Sequence, residues 1–442
     1  MAMMETGRVV GKPKKRSPPS EKRMKWMLAT MAMMMILEGW NDGSLGPVIP
    51  ALQDYYHVDY MHISMIFILT FCGCFIAGFG NIWLDDALGF GYTATFGSAC
   101  QGMSYIVNVW GPPFPIFVAA FIFTGFGFAL QDAQCNALCS RLPNASTKLS
   151  LLHACFGLGA FIAPFFATAF VQAYRQKVYL YFWMPFGVAA ITVTLLVLVF
   201  QGRSVDDVVE SESSEKAMDD EAAVPLVESG KDVLREEEEK KEVISGTDKL
   251  RRLFSDSAIM YILLFIIVYV GYEVAIGGWA VTFLIDARGA SLDSGYVSAG
   301  YYGGIAAGRA ILIPVTNALG HRRAIFVYLI AAILLEVCIM LAPSIFIDAV
   351  AFSLVGVVIG PIYPAAIVVI TEIIPLNLQS GTIGLMGALG GAGSAMMPFI
   401  VGALSDFLGI WVLQPVCILL MIGDLILWIL IARKEKIAPS IR

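Results

Sequence analysis

The chain has 442 residues, 58% of them hydrophobic and 14% charged, with a mean hydropathy of +0.74. That balance excludes a water-soluble globular protein and, with 42 Gly and 20 Pro, fits a polytopic helical membrane protein in which packed neighbours accommodate helix breaks. The formal charge of −6 comes mostly from one acidic stretch, so it says nothing of a basic ligand, and the lack of a basic face excludes nucleic acid as a partner.

Residues 1–25 are polar and basic (Lys12, Lys14, Lys15, Arg16, Lys22, Arg23, Lys25) with Pro13, Pro18 and Pro19, and read as a disordered tail. They are too long and too polar for a signal peptide, and no small-residue cleavage site follows the first apolar run. Twelve apolar segments come next, each near the roughly 20 residues of a spanning helix. They cover 26–52, 61–84, 92–110, 114–139, 149–174 and 178–200, then 256–285, 294–317, 322–342, 345–374, 379–405 and 409–432. The expected fold class is an all-α polytopic membrane protein of 12 transmembrane helices. Its bundles fall at 26–201 and 253–432, with a short tail at 433–442.

Residues 202–252 differ in kind. Glu210-Ser211-Glu212-Ser213-Ser214-Glu215 and Glu236-Glu237-Glu238-Glu239-Lys240-Lys241-Glu242 make an acidic, largely disordered linker that divides the helices six and six. With an even number of spans, both tails and this linker share a side, together with Arg141, Lys148, Arg322 and Arg323. The opposite loops hold only Arg175, Lys177 and Arg288, three of the 29 basic residues, so the positive-inside rule puts tails and linker in the cytoplasm. The sequon Asn144-Ala145-Ser146 then faces the cytoplasm and is expected to be unmodified. The eight cysteines (72, 74, 100, 135, 139, 155, 338 and 417) all lie in apolar runs, which argues against a disulfide framework, and Cys72-x-Cys74 lacks further metal-ligand partners.

The two halves echo one another. Gly157-x-Gly159-x4-Pro164 matches Gly391-x-Gly393-x4-Pro398, Gly73-x4-Gly78 with Ala87-Leu88-Gly89 matches Gly303-x4-Gly308 with Ala318-Leu319-Gly320, and Gly39-Trp40 pairs with Gly278-Trp279. Corresponding matches point to a duplicated six-helix unit, and twin bundles with a midplane site between them suit alternating access.

This layout resembles the major facilitator superfamily. Its cytoplasmic loop motif survives in degraded form as Gly80-x4-Asp85-Asp86-x2-Gly89, with Asp86 where a basic residue is usual, and better as Gly304-x3-Gly308-Arg309…Gly320-His321-Arg322-Arg323. Trp40-Asn41-Asp42-Gly43-Ser44-Leu45-Gly46-Pro47, Gly271-Tyr272-Glu273-Val274-Ala275-Ile276-Gly277-Gly278-Trp279 and Leu130-Gln131-Asp132-Ala133-Gln134-Cys135-Asn136 resemble first-, seventh- and fourth-helix stretches of the fucose-permease-like branch. That branch includes the fungal bypass-of-stop-codon-type membrane transporters. The resemblance implies proton-coupled sugar uptake, with acidic groups of helices 1 and 4 near the sugar; either Gln131 or Asp132 occupies the helix 4 place.

The residues themselves nominate a site, because an ionisable group at membrane depth costs at least ~2.5–3.5 kcal/mol and marks function by default. Glu38 and Asp42 stand one helical turn apart in the first apolar run, with Asn41 between them. Asp42, about 16 residues or ~24 Å into helix 1, lies at or beyond the midplane, and Pro47 and Pro50 are expected to break the outer helix. Asp42 reads as a substrate- or proton-binding cavity residue, or as a carboxylate satisfied by Asn41 or a neighbouring helix; Glu38 reads as a proton acceptor or a structural partner. Asp132, with Gln131, Gln134 and Asn136, forms a polar patch in helix 4 that either lines the cavity and couples protons or joins helices. Glu273 sits near the midplane of helix 7 beside Tyr269, Tyr272 and Trp279. Carboxylates and amides suit sugar hydroxyls and a ring suits the apolar sugar face, so Trp279, and Trp40 on the same grounds, are stacking candidates or packing tryptophans. Asp85 and Arg309 are expected in gating or scaffolding, Arg309 by pairing with a carboxylate. His153 reads as structural, and Glu336 and Asp424 as interhelical contacts.

Three functions follow. The first is a proton symporter of a small polar solute, a monosaccharide above others. The second is a facilitator or exporter of a less polar molecule, and the third is a non-transporting receptor or scaffold that signals through the linker. No nucleophile–base pair, metal cluster or Walker-type phosphate loop is present in the sequence, so neither an enzyme nor an ATP-driven pump is expected, and no cofactor. The expected partners are the solute, a proton and the lipid bilayer, with the chain as a monomer in the plasma membrane by default.

Overall fold

The computed structural model describes residues 21–142, 144–202, 256–374 and 376–433. The expectations for the tails at 1–20 and 434–442 and for nearly all of the acidic linker fall outside them. The described chain is helical almost throughout. In the first half the helices are α1 (Glu21–Tyr56), α2 (Tyr60–Val109), α3 (Phe114–Ala119), α4 (Phe121–Arg141), α5 (Ala145–Tyr174) and α6 (Trp183–Phe200). The second half holds α7 (Ser257–Arg288), α8 (Tyr296–Ile311), α9 (Ile313–Leu319), α10 (His321–Leu341), α11 (Ile345–Ile359), α12 (Ile362–Ile373), α13 (Leu376–Leu408) and α14 (Leu413–Ala432). Among the described residues, eight stretches are long and apolar enough to cross a membrane, Tyr60–Asn81, Ser257–Arg288 and Ile410–Ala432 among them. Large apolar side chains such as Phe79, Trp83, Phe346, Phe407 and Leu419 point outward, as hydrocarbon rather than water requires.

Two expectations are corrected. The outer part of the first helix is not broken: α1 runs unbroken through Pro47 and Pro50, in a setting where neighbouring helices can take up the carbonyls a proline leaves unpaired. It also starts at Glu21, inside the expected tail, where the Arg23 guanidinium bonds the Val199 carbonyl at 2.7 and 2.9 Å. The second and third apolar segments, as expected, are two helical legs, here labelled together as α2, which meet at a kink. Gly89 takes φ +74° and ψ 166°, a backbone state that only glycine holds without strain, and Gly320 (φ +77°) does the same between α9 and α10.

Packing within the halves follows one plan. In the first, α1 lies against α5 and α6, and α2 against α4 and α6; in the second, α7 lies against α13 and α14, and α8 against α11. Glycines set these contacts by letting backbones touch, and the contacts recur between corresponding helices of the second half. A methyl on Gly73 would meet Ile122 O at 2.0 Å, and one on Gly304 would meet Ser353 O at 2.3 Å. Gly125 lies against Thr70 O as Gly356 lies against Tyr301 O. Gly159 faces Ile36 O at 2.2 Å and Gly393 faces Ile267 O at 2.1 Å, so the repeated Gly-x-Gly-x4-Pro stretches make the same contact. Counted from those two isoleucines, Asp42 and Glu273 stand at one step and Gly46 and Gly277 at another. The Gly39-Trp40 and Gly278-Trp279 pairs do not fall in this register, so their resemblance is a coincidence of composition.

The halves meet through α1 with α7, α2 with α13, and α5 with α8. At the end of the molecule that carries Tyr56 they are tied closely. Tyr60 Oη donates to Asp286 Oδ2 at 2.8 Å, and Gln172 Nε2 donates to Asp293 Oδ1 at 2.6 Å. A methyl on Gly402 would fall 2.8 Å from Tyr60 O, and one on Gly295 would fall 2.3 Å from Thr168 Oγ1.

Candidate functional site

The central polar residues divide into a rigid frame and a set of carboxylates. The frame joins α1, α2 and α4. Tyr105 Oη donates to Asn41 Oδ1 at 2.5 Å, Asn41 Nδ2 donates to Gln101 Oε1 at 3.1 Å, and Gln101 Nε2 donates to Gln131 Oε1 at 2.6 Å. Gln131 Nε2 continues to Ser98 Oγ, so both ends of its carboxamide are engaged, and the residue is fully buried. Asn41 remains half-buried. In such a chain each member fixes the next, which orients Asn41 at the edge of the frame.

The carboxylates run from one half to the other. Asp132 lies on α4 within hydrogen-bond reach of Asn136 and electrostatic reach of His153, which is exposed. Glu38 on α1 is within electrostatic reach of both Asp132 and Asp42, and Asp42 of Glu273 on α7. The order Asp132, Glu38, Asp42, Glu273 therefore spans the interface. Glu38 is only 1% exposed and its Oε1 has no hydrogen-bond partner. Asp42, Asp132, Asn136 and Glu273 are half-buried although they lie inside their helices. The two shallow grooves with the clearest outline, one along Phe165–Tyr174 and one around Arg175 and Asp293, hold none of these carboxylates.

Two adjacent tyrosines of α8 tie the carboxylate residues together. Tyr301 Oη donates to the Glu273 carbonyl at 2.8 Å, and Tyr302 Oη donates to the Asp42 carbonyl at 3.2 Å, across the interface. Tyr105 and Gln101 lie in this cluster and were not singled out from the sequence, whereas Tyr302 reads from the sequence as a lining or core-packing residue of the second half; Cys74 lies within electrostatic reach of Asp42, Glu38 and Asp132.

The other expected residues are placed as follows. Trp279 is fully buried, donates Nε1 to Pro398 O at 2.9 Å, and has the rings of Tyr60 and Phe67 beside it. Trp40 donates to Tyr181 Oη at 2.8 Å and packs on Phe166. Arg309 donates to the Gly360 carbonyl at 3.3 Å, at the junction of α11 and α12; among the described residues no carboxylate pairs with it, contrary to expectation, because the backbone break supplies the acceptor. Asp85 is half-buried near the end of the first leg of α2, before Gly89. Glu336 and Asp424 are fully buried; Asp424 on α14 lies within hydrogen-bond reach of Tyr272 on α7, and Glu336 on α10 within electrostatic reach of Asp348 on α11.

A polytopic helical fold with polar groups converging at the meeting of its halves defines a membrane transporter. The chain belongs to the Major Facilitator Superfamily, whose sequence model matches residues 31–398. It is 24% identical over 409 residues to Bypass of stop codon protein 6 of Saccharomyces cerevisiae, covering 89% of this chain and 80% of that one. Its fold is similar to that of a bacterial homologue of the human lysosomal transporter Spinster, in an inward-facing and unoccupied conformation (TM-score 0.71, 12% identity, 96% of this chain and 100% of that one). It is similar also to a D-xylose–proton symporter (TM-score 0.69, 10% identity, 91% and 97%) and to the E. coli fucose:proton symporter (TM-score 0.60, 14% identity, 92% and 99%).

Proposed function

We propose that this chain is a secondary active transporter, acting as a monomer, that moves a small polar solute, a monosaccharide above others, by proton symport and alternating access. In this reading the twelve apolar segments form two pseudo-symmetric six-helix bundles at 26–201 and 253–432, with both termini and the 202–252 linker in the cytoplasm. The observation that carries it is the row of four carboxylates across the interface of the two halves, of which Asp42, Asp132 and Glu273 are half-buried and Glu38 buried. Burying charge without a partner is costly, so such a row persists only where protons or polar solutes complete it.

The roles follow from the geometry. Asp42 and Glu273 hold solute hydroxyls from the two halves, with Asn41, held by the frame, beside Asp42. Asp132 and Asn136 extend the site on α4, and Gln131 orients the frame from behind. Asp42, Glu38 and Asp132 pass the proton, Asp42 facing the solute and Glu38 joining the other two. Trp279 closes the Tyr56 end of the site rather than stacking on the solute, and Asp85 and Arg309 serve the helix junctions that move. Similarity to a D-xylose–proton symporter and to a fucose:proton symporter supports the sugar and the proton as first choices.

The test is uptake of labelled monosaccharides into proteoliposomes with and without an inward proton gradient. Gradient-driven accumulation of at least one sugar is expected, and Asp42→Asn should abolish accumulation while exchange persists. Uptake indifferent to the gradient, or full accumulation by Asp42→Asn, would overturn the coupling role.

A further inference from the structure

The start of α2 is capped by both halves of the molecule. A helix leaves its first N–H groups without intrahelical partners, and here those of Tyr60, Met61 and His62 are all satisfied. The His62 N–H bonds Asp59 Oδ1 at 2.8 Å, from the first half, and the ordinary helical ladder then begins with the Ile63 N–H on the Asp59 carbonyl at 3.1 Å. The other two are held from the second half. Asp406, on α13, accepts the Tyr60 N–H on Oδ1 at 2.9 Å and the Met61 N–H on Oδ2 at 3.0 Å. Gly402, one turn earlier on α13, lies so close to Tyr60 O and Ser64 that a side chain there would clash, and this approach brings Asp406 over the helix end. The phenol of Tyr60 reaches Asp286 on α7, so one helix start is bound to two helices of the opposite half.

We propose that Asp406 is a latch that holds the Tyr56 end of the transporter shut by capping α2 across the interface. It is a positioning residue, acting on the equilibrium between conformations. When the halves part at this end, Asp59 keeps its cap and the α2 turn stays folded. Of the cap itself, only the two Asp406 bonds and their favourable contact with the helix dipole are given up. That division lets the latch open without unfolding the helix. Loss of a capping carboxylate typically shifts an equilibrium about fivefold to tenfold. The proposal rests on the alternating-access reading.

The experiment is hydrogen–deuterium exchange by mass spectrometry on the full chain in lipid nanodiscs, comparing the parent, Asp406→Ala and Asp406→Asn. The latch predicts about fivefold to tenfold faster exchange for Asp406→Ala, not only at Tyr60 and Met61 but also around Thr168 and Gly295–Ser298, which seal the same end elsewhere. Asp406→Asn, with one acceptor oxygen and the same volume, should fall between and serves if the alanine variant folds poorly. Faster exchange confined to Tyr60 and Met61, or none, overturns the latch, since a local cap would do that much. The readout needs no solute. If the shift occurs and no solute is ever accumulated, the latch stands and the transport reading fails; if no shift occurs, the latch fails whatever is transported.

Discussion

Gly46→Ala separates the cost of a conformation from the cost of the fold. Gly46 on α1 touches the second half: a methyl there would lie 2.6 Å from Gly277 O and 2.7 Å from Ser298 Oγ. Gly43, three residues earlier, touches only its own half, where a methyl would lie 2.2 Å from Ala160 O on α5. Overpacking of this kind costs ~1–3 kcal/mol. At Gly46 the cost falls on the conformation closed at the Tyr56 end, and alanine's gain in helix propensity, ~1 kcal/mol, applies to every conformation and cancels. The closed population should therefore drop about 5-fold to 150-fold relative to the open one. Thr168→Cys provides the assay, because Thr168 is buried under Gly295 at that end. A membrane-impermeant maleimide added from the Tyr56 side should label it far faster in the Gly46→Ala background, counted above the same chain without the added thiol. Gly43→Ala should instead lower the unfolding temperature and leave labelling at the parent rate. Equal labelling in the two glycine variants, or parent-rate labelling in Gly46→Ala, refutes the reasoning.

Other contacts make equally direct predictions. Arg288 reaches Asp348 Oδ2 at 2.8 Å and Ile339 O at 2.6 Å, and Asp348 is fully buried. Arg288→Ala should cost ~3–5 kcal/mol by stranding that carboxylate, and adding Asp348→Leu should recover most of it, both seen by thermal unfolding in detergent. Tyr105→Phe removes the donor to Asn41, at a cost of ~1–3 kcal/mol, and should weaken solute retention more than it lowers the unfolding temperature; a change in stability alone would take Asn41 out of the site. Burial pushes the Asp59 carboxyl up, but hydrogen bonds from the His62 backbone and ring outweigh it and hold the group below the usual carboxylate range. The cap is then complete at neutral pH and weakens as pH falls below about 4 and through that lowered value. Exchange at Tyr60–Ile63 should quicken there in the parent and not in Asp59→Asn.

The carboxylates were legible in the sequence because a charge in an apolar run is an anomaly that needs no partner to be noticed. Glu38, Asp42, Asp132 and Glu273 all announced themselves that way. The frame was less visible, though its signal was present: Ser98, Gln101, Tyr105 and Asn108 recur at helical spacing along one face of an apolar segment. Asp406 gave no local signal, since it acts on residues hundreds of positions away, and Tyr302 read only as a lining or packing tyrosine because its partner is equally remote. The unbroken α1 escaped too, because proline's effect depends on neighbours that only the packed structure supplies.

The register between the halves explains why the carboxylates stand where they do. Asp42 and Glu273 are counterparts, and so are Gly46 and Gly277, one turn further along the same helices. The two glycines touch each other, which places the contact near the axis that would relate the halves. Groups near the axis of a rocking motion move least, while groups at the Tyr56 end, such as Asp406, move most. A carboxylate one turn from the pivot can face solvent from either end in turn while keeping its distance to its counterpart. A latch far from the pivot works with the longest lever. On the proposed transport reading, the same glycine contact that lets α1 and α7 cross closely would leave binding to the middle of the molecule and gating to its end.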